Sequence, residues 1–225
     1  QMNMGEWIGR CRDKVTFGDQ DWRVIVKFLR DQRVEFFAFM LALKNLLQGI
    51  PKKNCICIEG PPNTGKSMFA TSLISFMHGR VLSFMNSKSQ FWLQPLVEGK
   101  IGLIDDVTKT FWDYCDIYLR TALDGNQISI DSKHKAHVQM KFPPLLLTSN
   151  VSVDSEPRWQ YLQSRIKTFH FPTVQTPPAV QIEGHHWGSF FTKFWETLEL
   201  PPPTDEDGNP RRPLRLNPRT DNDPN

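Results

Sequence analysis

The stretch "GPPNTGKS", residues 60–67, constrains the fold of this 225-residue chain more than any other feature. It fits the pattern G-x-x-x-x-G-K-[ST], follows the apolar run "CICIE" and precedes a segment with helical spacing. Glycines let such a loop curl and offer its N–H groups to phosphate oxygens, while the lysine reaches the outer phosphates and the hydroxyl binds magnesium. The segment therefore predicts a strand, a phosphate loop and a helix that bind ATP and Mg²⁺. The predicted loop residues are Gly60, Pro61, Pro62, Asn63, Thr64, Gly65, Lys66, Ser67 and Met68.

Short apolar runs alternate with helical segments after this loop. We expect strands in "CICIE", "VLSFM", "IGLIDD", "PLLLTSN" and "IKTFHF", and helices over residues 66–77 and 110–123. Continuous apolar strands between helices are typical of a mostly parallel sheet covered on both faces. The predicted fold class is therefore α/β, a P-loop ATPase with a central sheet flanked by helices.

The segments before and after this unit differ from it in their sequence patterns. Two helices broken near residues 31–33 are expected before residue 50, because apolar residues recur there at helical spacing. A last helix is expected within "HHWGSFFTKFWETLEL", and disorder is expected in the proline-rich tail over residues 201–225.

Polar side chains follow two of the predicted strands. Asp105 and Asp106 end "IGLIDD", and Asn150 ends "PLLLTSN". Ligands gather at the carboxyl ends of parallel strands, so these side chains are expected beside Lys66. We assign Asp105 to magnesium, together with Ser67, and Asp106 to orienting or deprotonating the attacking water, although the two roles are exchangeable. Asn150 is expected to sense the γ-phosphate and to hold that water.

A basic turn, "DSKHK", lies between two alternating runs and predicts a β-hairpin with a basic tip. The net charge of +3 is too small to indicate nucleic-acid binding by itself. Lys133 and His134 at this tip would suit contact with a phosphate backbone. Taken alone, the same residues fit a solvated turn, and only the position between two ATPase motifs favours a moving element.

The cysteines, the paired histidines and the apolar segments give no strong indication of function. The four cysteines are expected to be small buried residues in a reducing compartment, and Cys55 and Cys57 are expected to share one face of a strand. His185 and His186 are expected to cap or pack a helix, because metal sites need ligands at tighter spacing. A membrane span is not expected, since no stretch of eighteen apolar residues occurs.

The phosphate loop, "IDD", the basic hairpin and "LLLTSN" occur in an order that resembles the superfamily 3 helicases of small DNA viruses. Longer stretches, such as "SQFWLQPL", "ALDGNQISID" and "YLQSRI", are similar to the papillomavirus replication helicases. The resemblance implies an AAA+-like domain over residues 51–200 and a helical oligomerisation segment over residues 1–50. It implies a hexameric ring that pulls single-stranded DNA through its centre.

The resemblance also assigns residues. Lys133 and His134 match the DNA-contacting hairpin, and Lys88 and Phe91 match a second loop that faces the channel. Arg165 matches an arginine finger that reaches the nucleotide of the neighbouring subunit. The remaining residues matched to the subunit boundary are Lys52, Arg120 and Tyr161.

The resemblance further implies the cellular setting. The implied partners are a viral regulatory protein that loads the helicase at origins and, further, host polymerase–primase and single-strand-binding protein, in the host cell nucleus. An origin-recognising domain is not expected in this chain. Two alternatives stay open: a parvovirus-type superfamily 3 helicase, and a docking module that binds nucleotide and a viral loading protein without unwinding.

Overall fold

The computed structural model describes residues 2–89, 91–131 and 137–202. Its main sheet has five strands, which in spatial order are β2 (Arg80–Leu82), β3 (Gly102–Val107), β6 (Leu145–Ser149), β1 (Cys55–Glu59) and β7 (Lys167–His170). A separate antiparallel pair is formed by β4 (Ile128–Ile130) and β5 (Val138–Met140). The helices are α1 (Met4–Arg12), α2 (Trp22–Asp31), α3 (Phe36–Leu47), α4 (Lys66–Phe76), α5 (Lys109–Tyr114), α6 (Arg120–Leu123), α7 (Gln160–Gln163) and α8 (Gly184–Lys193).

All pairings in the main sheet are parallel, and β1 lies between β6 and β7. Parallel strands of one sheet end at the same edge. We call the edge where β1, β3 and β6 end the carboxyl edge, and the edge where the strands begin the amino edge. The predicted α/β fold with a parallel sheet is confirmed.

The sheet separates two hydrophobic clusters, because successive side chains of a strand point to opposite faces. Ile56 and Ile58 of β1 lie in a cluster with residues of α1, α2, α3, α4 and α8. Cys55 and Cys57 lie in the other cluster, together with Cys115 and residues of α5 and α6. The shared face of the two cysteines is therefore confirmed, and burial raises the pKa of all three thiols.

The break near residues 31–33 is also confirmed. Helix α2 ends at Asp31, Arg33 has a positive φ of 57°, and α3 begins at Phe36 with Glu35 as its N-cap. Residues of these helices, such as Phe28 and Phe39, pack against Phe69 of α4. The first fifty residues thus share a core with the sheet, and a domain boundary at residue 50 stays a prediction.

Three predicted elements have different bounds. The strand "VLSFM" ends at Leu82 and continues as a 3-10 turn, Phe84–Asn86, because β2 is an edge strand whose pairing with β3 extends over three residues. The predicted helix over residues 110–123 contains a π-helical segment, Cys115–Leu119, which buries both of its ends. The last helix ends at Lys193, and turns follow it to Glu199. Among the described residues, none of the helices has both the length and the apolar character to cross a bilayer.

Candidate nucleotide site

The loop between β1 and α4 adopts a backbone that requires glycine at two positions. Gly60 has a φ of 147°, and a Cβ atom there would lie 2.3 Å from the carbonyl oxygen of Phe171. Gly65 has a φ of 89°, and its Cβ atom would lie 2.9 Å from the Phe28 ring. Helix α4 begins directly afterwards at Lys66, so its first N–H groups face the space enclosed by the loop. This is the arrangement in which a helix N-terminus binds an anion.

The side chain of Lys66 lies within this loop and is almost fully buried. Its Nζ atom donates hydrogen bonds to the carbonyl oxygens of Gly60 (2.9 Å) and Pro61 (2.7 Å) and to Asn150 Oδ1 (2.9 Å). Burial lowers the pKa of Lys66, and the nearby carboxylates of Asp106 and Asp105 oppose this shift. The ammonium group is thus held by acceptors that a phosphate group could replace.

The two acidic residues lie on a bulge at the end of β3. The pairing of β3 with β6 shifts register between Ile104 and Val107, and Asp106 has a positive φ of 54°. Asp105 Oδ1 accepts a hydrogen bond from Ser67 Oγ at 2.8 Å. Carboxylate and hydroxyl oxygens are ligands that suit Mg²⁺, so the pair of Ser67 and Asp105 fits a magnesium site.

Asn150 follows β6 and connects the lysine to the acidic pair. Its Oδ1 atom accepts from Lys66, and its Nδ2 atom donates to Asp106 Oδ1 at 3.3 Å. The structure therefore brings together Lys66, Ser67, Asp105, Asp106 and Asn150 at the carboxyl edge.

Three further residues at this site were missed by the sequence reasoning. Glu59, the last residue of β1, accepts a hydrogen bond at Oε1 from His170 Nδ1 at 2.9 Å. Thr148 binds both members of the acidic pair through its hydroxyl group. Gln32 of the α2 C-terminus reaches the carbonyl oxygen of Thr64. Only Glu59 had a usable signal, since it is a carboxylate at the end of a strand directly before Gly60.

Arg165 lies at the other end of the sheet. It precedes β7, so it stands at the amino edge, and its guanidinium makes two hydrogen bonds to the Asp124 carboxylate, at 2.8 and 3.1 Å. A five-residue strand such as β1 spans about 16 Å at roughly 3.3 Å per residue. Arg165 is consequently remote from the phosphate loop of its own chain.

The other predicted subunit-boundary residues lie near Arg165. The guanidinium of Arg120 lies 5.1 Å from the centre of the Tyr161 ring, and Tyr161 offers its backbone carbonyl oxygen to Arg165. Lys52 is exposed and has a positive φ of 62°. The preceding residue, Pro51, packs against Gly125: a Cβ atom added to Gly125 would lie 3.4 Å from the Pro51 Cα atom. The four residues predicted at a subunit boundary thus occupy one side of the molecule.

The residues predicted to contact DNA are partly described. Lys133 and His134 lie outside the described residues. The strands that flank them pair as expected, from Ile128 with Met140 to Ile130 with Val138. Lys88 is exposed, and Phe91 lines one groove together with Val138. The second loop therefore lies beside the hairpin.

No metal-binding group of three or more His, Cys, Asp or Glu side chains occurs within residues 2–89, 91–131 and 137–202. The rings of His185 and His186 stack at 3.9 Å between centres in the first turn of α8. This agrees with the expectation that the two histidines cap or pack the helix.

Comparison with known proteins identifies relatives along the whole chain. Residues 1–216 match the family described as Papillomavirus helicase. Replication protein E1 of Human papillomavirus type 1 is 55% identical over 231 residues, which cover 100% of this chain and 38% of that protein. Replication protein E1 of Cottontail rabbit papillomavirus (strain Kansas) is 53% identical over 222 residues, covering 96% of this chain and 37% of that protein. The chain thus spans well under half the length of these relatives.

Solved structures share the fold at lower identity. The X-ray structure of JCV helicase superposes with a TM-score of 0.60 at 22% identity, covering 77% of this chain and 53% of that chain. The apo structure of the NrS-1 C terminal region superposes with a TM-score of 0.57 at 18% identity, covering 74% of this chain and 43% of that chain. These structures support the fold alone. The family match extends from the first helix past the last, and on that ground the chain belongs to the papillomavirus helicase family.

Proposed function

We propose that this chain is an ATP-dependent DNA helicase motor of viral replication, which hydrolyses ATP between the subunits of a hexameric ring. One observation carries the proposal. The residues suited to bind and hydrolyse ATP gather at the carboxyl edge, whereas Arg165 stands at the amino edge, where it cannot serve the site of its own chain. A head-to-tail arrangement of copies would bring the amino edge of one subunit to the carboxyl edge of the next.

Hydrolysis would proceed through the residues of the carboxyl edge. Lys66 exchanges its bonds to the Gly60 and Pro61 carbonyl oxygens for the outer phosphates of ATP. Ser67 and Asp105 would hold Mg²⁺, which when bound neutralises charge on the phosphates. Asp106 and Asn150, whose side chains are hydrogen-bonded, hold the attacking water, and Asp106 accepts its proton. Asn150 also binds Lys66, so it is placed to respond when the γ-phosphate leaves.

Arg165 would complete the site of the neighbouring subunit. A guanidinium that reaches the transferred phosphoryl group stabilises the charge of the transition state. The bidentate pair with Asp124 fixes the direction of the Arg165 side chain, which is 15% exposed. Arg120, Tyr161 and Lys52 would pack in the same boundary. Hydrolysis then depends on assembly.

Single-stranded DNA would be moved by the hairpin and the loop beside it. Lys133 and His134 supply cationic or hydrogen-bonding contacts to the phosphate backbone, and Lys88 adds another. Phe91 supplies an aromatic surface on which a base stacks without regard to its identity. The further proposed partners are a viral loading protein, host polymerase–primase and single-strand-binding protein, in the host cell nucleus. These rest on the family resemblance.

The test is steady-state ATP hydrolysis measured across protein concentration, with and without single-stranded DNA. We expect the rate per subunit to rise steeply with concentration and with DNA, and Lys66→Ala to abolish it. A flat, DNA-independent rate would favour the alternative, a docking module that binds ATP and a partner without unwinding.

A paired comparison separates the motor from the docking module. The double variant Lys133→Ala, His134→Ala should lose DNA-stimulated hydrolysis and unwinding if the hairpin moves DNA. Lys193→Ala, which removes an exposed lysine at the end of α8 and outside the predicted oligomerisation segment, is the matched control and should retain both. Equal activity in the double variant and the control would contradict the motor.

A further inference from the structure

Gln32 is a polar residue with no exposed surface, and its side chain connects three segments of the chain. Its Nε2 atom donates to the carbonyl oxygen of Thr64 in the phosphate loop and to that of Thr173 after β7, both at 2.9 Å. Its Oε1 atom accepts from the backbone N–H of Thr173 at 3.0 Å. Both amide hydrogens and the carbonyl oxygen are thus used, and the amide has a defined orientation.

The bond to Thr64 fixes a peptide plane of the phosphate loop. The carbonyl group of Thr64 and the N–H group of Gly65 belong to one planar trans peptide, in which they point in opposite directions. When Gln32 holds the carbonyl oxygen, the N–H of Gly65 is turned the other way. Loops of this kind bind phosphate with backbone N–H groups, so the direction of this N–H affects nucleotide affinity.

The preceding peptide plane is held in the same manner. The carbonyl oxygen of Asn63 accepts from the backbone N–H of Gln175 at 2.8 Å. This bond fixes the N–H of Thr64 in the opposite direction. Thr173 is itself tied to α2, because its hydroxyl group donates to the Asp31 carbonyl oxygen at 2.8 Å. Two successive carbonyl groups of the loop are therefore held by the segment that Gln32 attaches to α2.

From these contacts we infer that Gln32 is a positioning residue of the nucleotide site, which holds the Thr64 carbonyl oxygen and thereby aims the Gly65 N–H at the phosphates. This rests on the proposed function in one respect, that the loop binds nucleotide. Gln32 touches no phosphate itself and acts through the backbone of the loop. It also makes the end of α2 part of the nucleotide site, although α2 lies in the region expected to serve oligomerisation.

The experiment measures the dissociation constant of a fluorescent ADP analogue for Gln32→Met and for the wild type. Met has a similar length and neither donates to the Thr64 carbonyl oxygen nor accepts strongly from Thr173. We expect nucleotide binding to weaken about tenfold, which is the size of effect expected when a hydrogen bond that orients a charged ligand is lost. All titrations are made well below the melting temperature of each variant, with circular dichroism as the check of folding.

Gln48→Met is the matched control. The Gln48 side chain also bridges to backbone carbonyl oxygens, those of Leu198 and Glu199 at 3.4 Å, and Gln48 precedes the start of β1, whereas the loop follows its end. Gln48 is exposed and its bonds are longer than those of Gln32, so nucleotide affinity should be unchanged in this variant. If Gln32→Met does not fold, Gln32→Asn replaces it, because this side chain stays a neutral amide and is one methylene group shorter, so it cannot reach Thr64 and Thr173 together.

The outcomes separate the inference from the function on which it rests. Weaker binding in the folded Gln32 variant, with unchanged binding in Gln48→Met, supports the positioning role. Binding within twofold of the wild type in the folded Gln32 variant overturns it and leaves the proposed function intact. Failure of the wild type to bind the ADP analogue overturns both.

Discussion

Thr148 is a buried residue of β6 that binds both members of the acidic pair. Its hydroxyl group accepts from the backbone N–H of Asp106 at 2.8 Å and donates to Asp105 Oδ1. The positive φ of Asp106 and the bulge in β3 therefore occur at the point where β3 donates a hydrogen bond to Thr148 of β6. A single hydroxyl group thus holds Asp105 where it also meets Ser67.

Replacing Thr148 with Val should disturb this arrangement at almost constant volume. The Asp106 N–H loses its acceptor and the Asp105 carboxylate loses a donor, which we expect to destabilise the fold by about 1–3 kcal/mol. Urea unfolding measures the stability, and the magnesium concentration needed for half-maximal hydrolysis measures the site. That concentration should rise, because Asp105 is no longer fixed beside Ser67.

Thr168→Val is the matched control for this change. The hydroxyl group of Thr168 in β7 is buried and has no hydrogen-bond partner within the part of the chain that the structure describes. Its removal should leave stability unchanged or raise it, since a buried polar group without a partner costs free energy. Equal losses in the two variants would mean that the hydroxyl bonds of Thr148 do not matter.

At the scale of elements, the N-terminus of α8 has an unusual cap. The N–H of Glu183, the N-cap residue, donates to Nδ1 of His186 at 2.9 Å, where a capping box ordinarily has a Glu or Gln side chain. The bond requires Nδ1 to be unprotonated. Burial lowers the pKa of His186, as does the neighbouring His185, and Asp21 and Glu183 oppose the shift.

This cap predicts a pH dependence of stability. A histidine whose pKa is lowered in the folded state binds its proton more readily in the unfolded chain, so stability rises with pH over the range between the two pKa values. The stabilising effect should be complete above the unfolded value, near 6.5, and should be lost as the pH falls below it. Urea unfolding between pH 5 and 8 measures this slope.

The variant that isolates the effect is His186→Gln. Glutamine retains an acceptor for the Glu183 N–H and does not titrate, so the slope should become shallower while stability at pH 8 changes little. All other titratable groups are the same in both proteins, so the comparison isolates His186. An unchanged slope in His186→Gln would show that the pH dependence arises elsewhere.

The order of the elements was predictable because it depends on local patterns. Apolar runs predicted the five strands of the main sheet, and the loop motif placed Lys66 and Ser67. Bounds that depend on partners were not predictable: β2 stops where its pairing with β3 stops, and the π-helical segment Cys115–Leu119 interrupts a pattern that fits an ordinary helix.

The same division applies to the candidate site. Its inner residues lie in short motifs at strand ends, so the sequence indicated them. The residues that hold these side chains in place do not lie in such motifs, because their partners are distant along the chain. Gln32 binds Thr173, which is 141 residues away, and Thr148 binds the N–H of Asp106, which is 42 residues away. No pattern within one segment indicates such a pair.

At the scale of the whole molecule, the residues of the proposed shared site lie on opposite edges of the sheet. The carboxyl edge presents Asp105 and Asp106 beside the phosphate loop, and the amino edge presents Arg165 and Arg120. In the proposed assembly, copies would meet head to tail, and such contacts form a ring when the rotation between copies closes. Each nucleotide site would then be built from two copies of the chain.

A mixing experiment tests this shared site. Arg165→Ala keeps its phosphate loop and lacks the arginine, whereas Lys66→Ala lacks the lysine and keeps Arg165. Each variant alone should be inactive. When equal amounts are mixed before assembly, about a quarter of the interfaces in a head-to-tail ring join an intact loop to an intact arginine, so about a quarter of the wild-type rate should return. Steady-state ATP hydrolysis with single-stranded DNA gives the readout. If the mixture stays at the average of the two separate rates, or if Arg165→Ala alone hydrolyses ATP as the wild type does, then Arg165 does not act across the boundary.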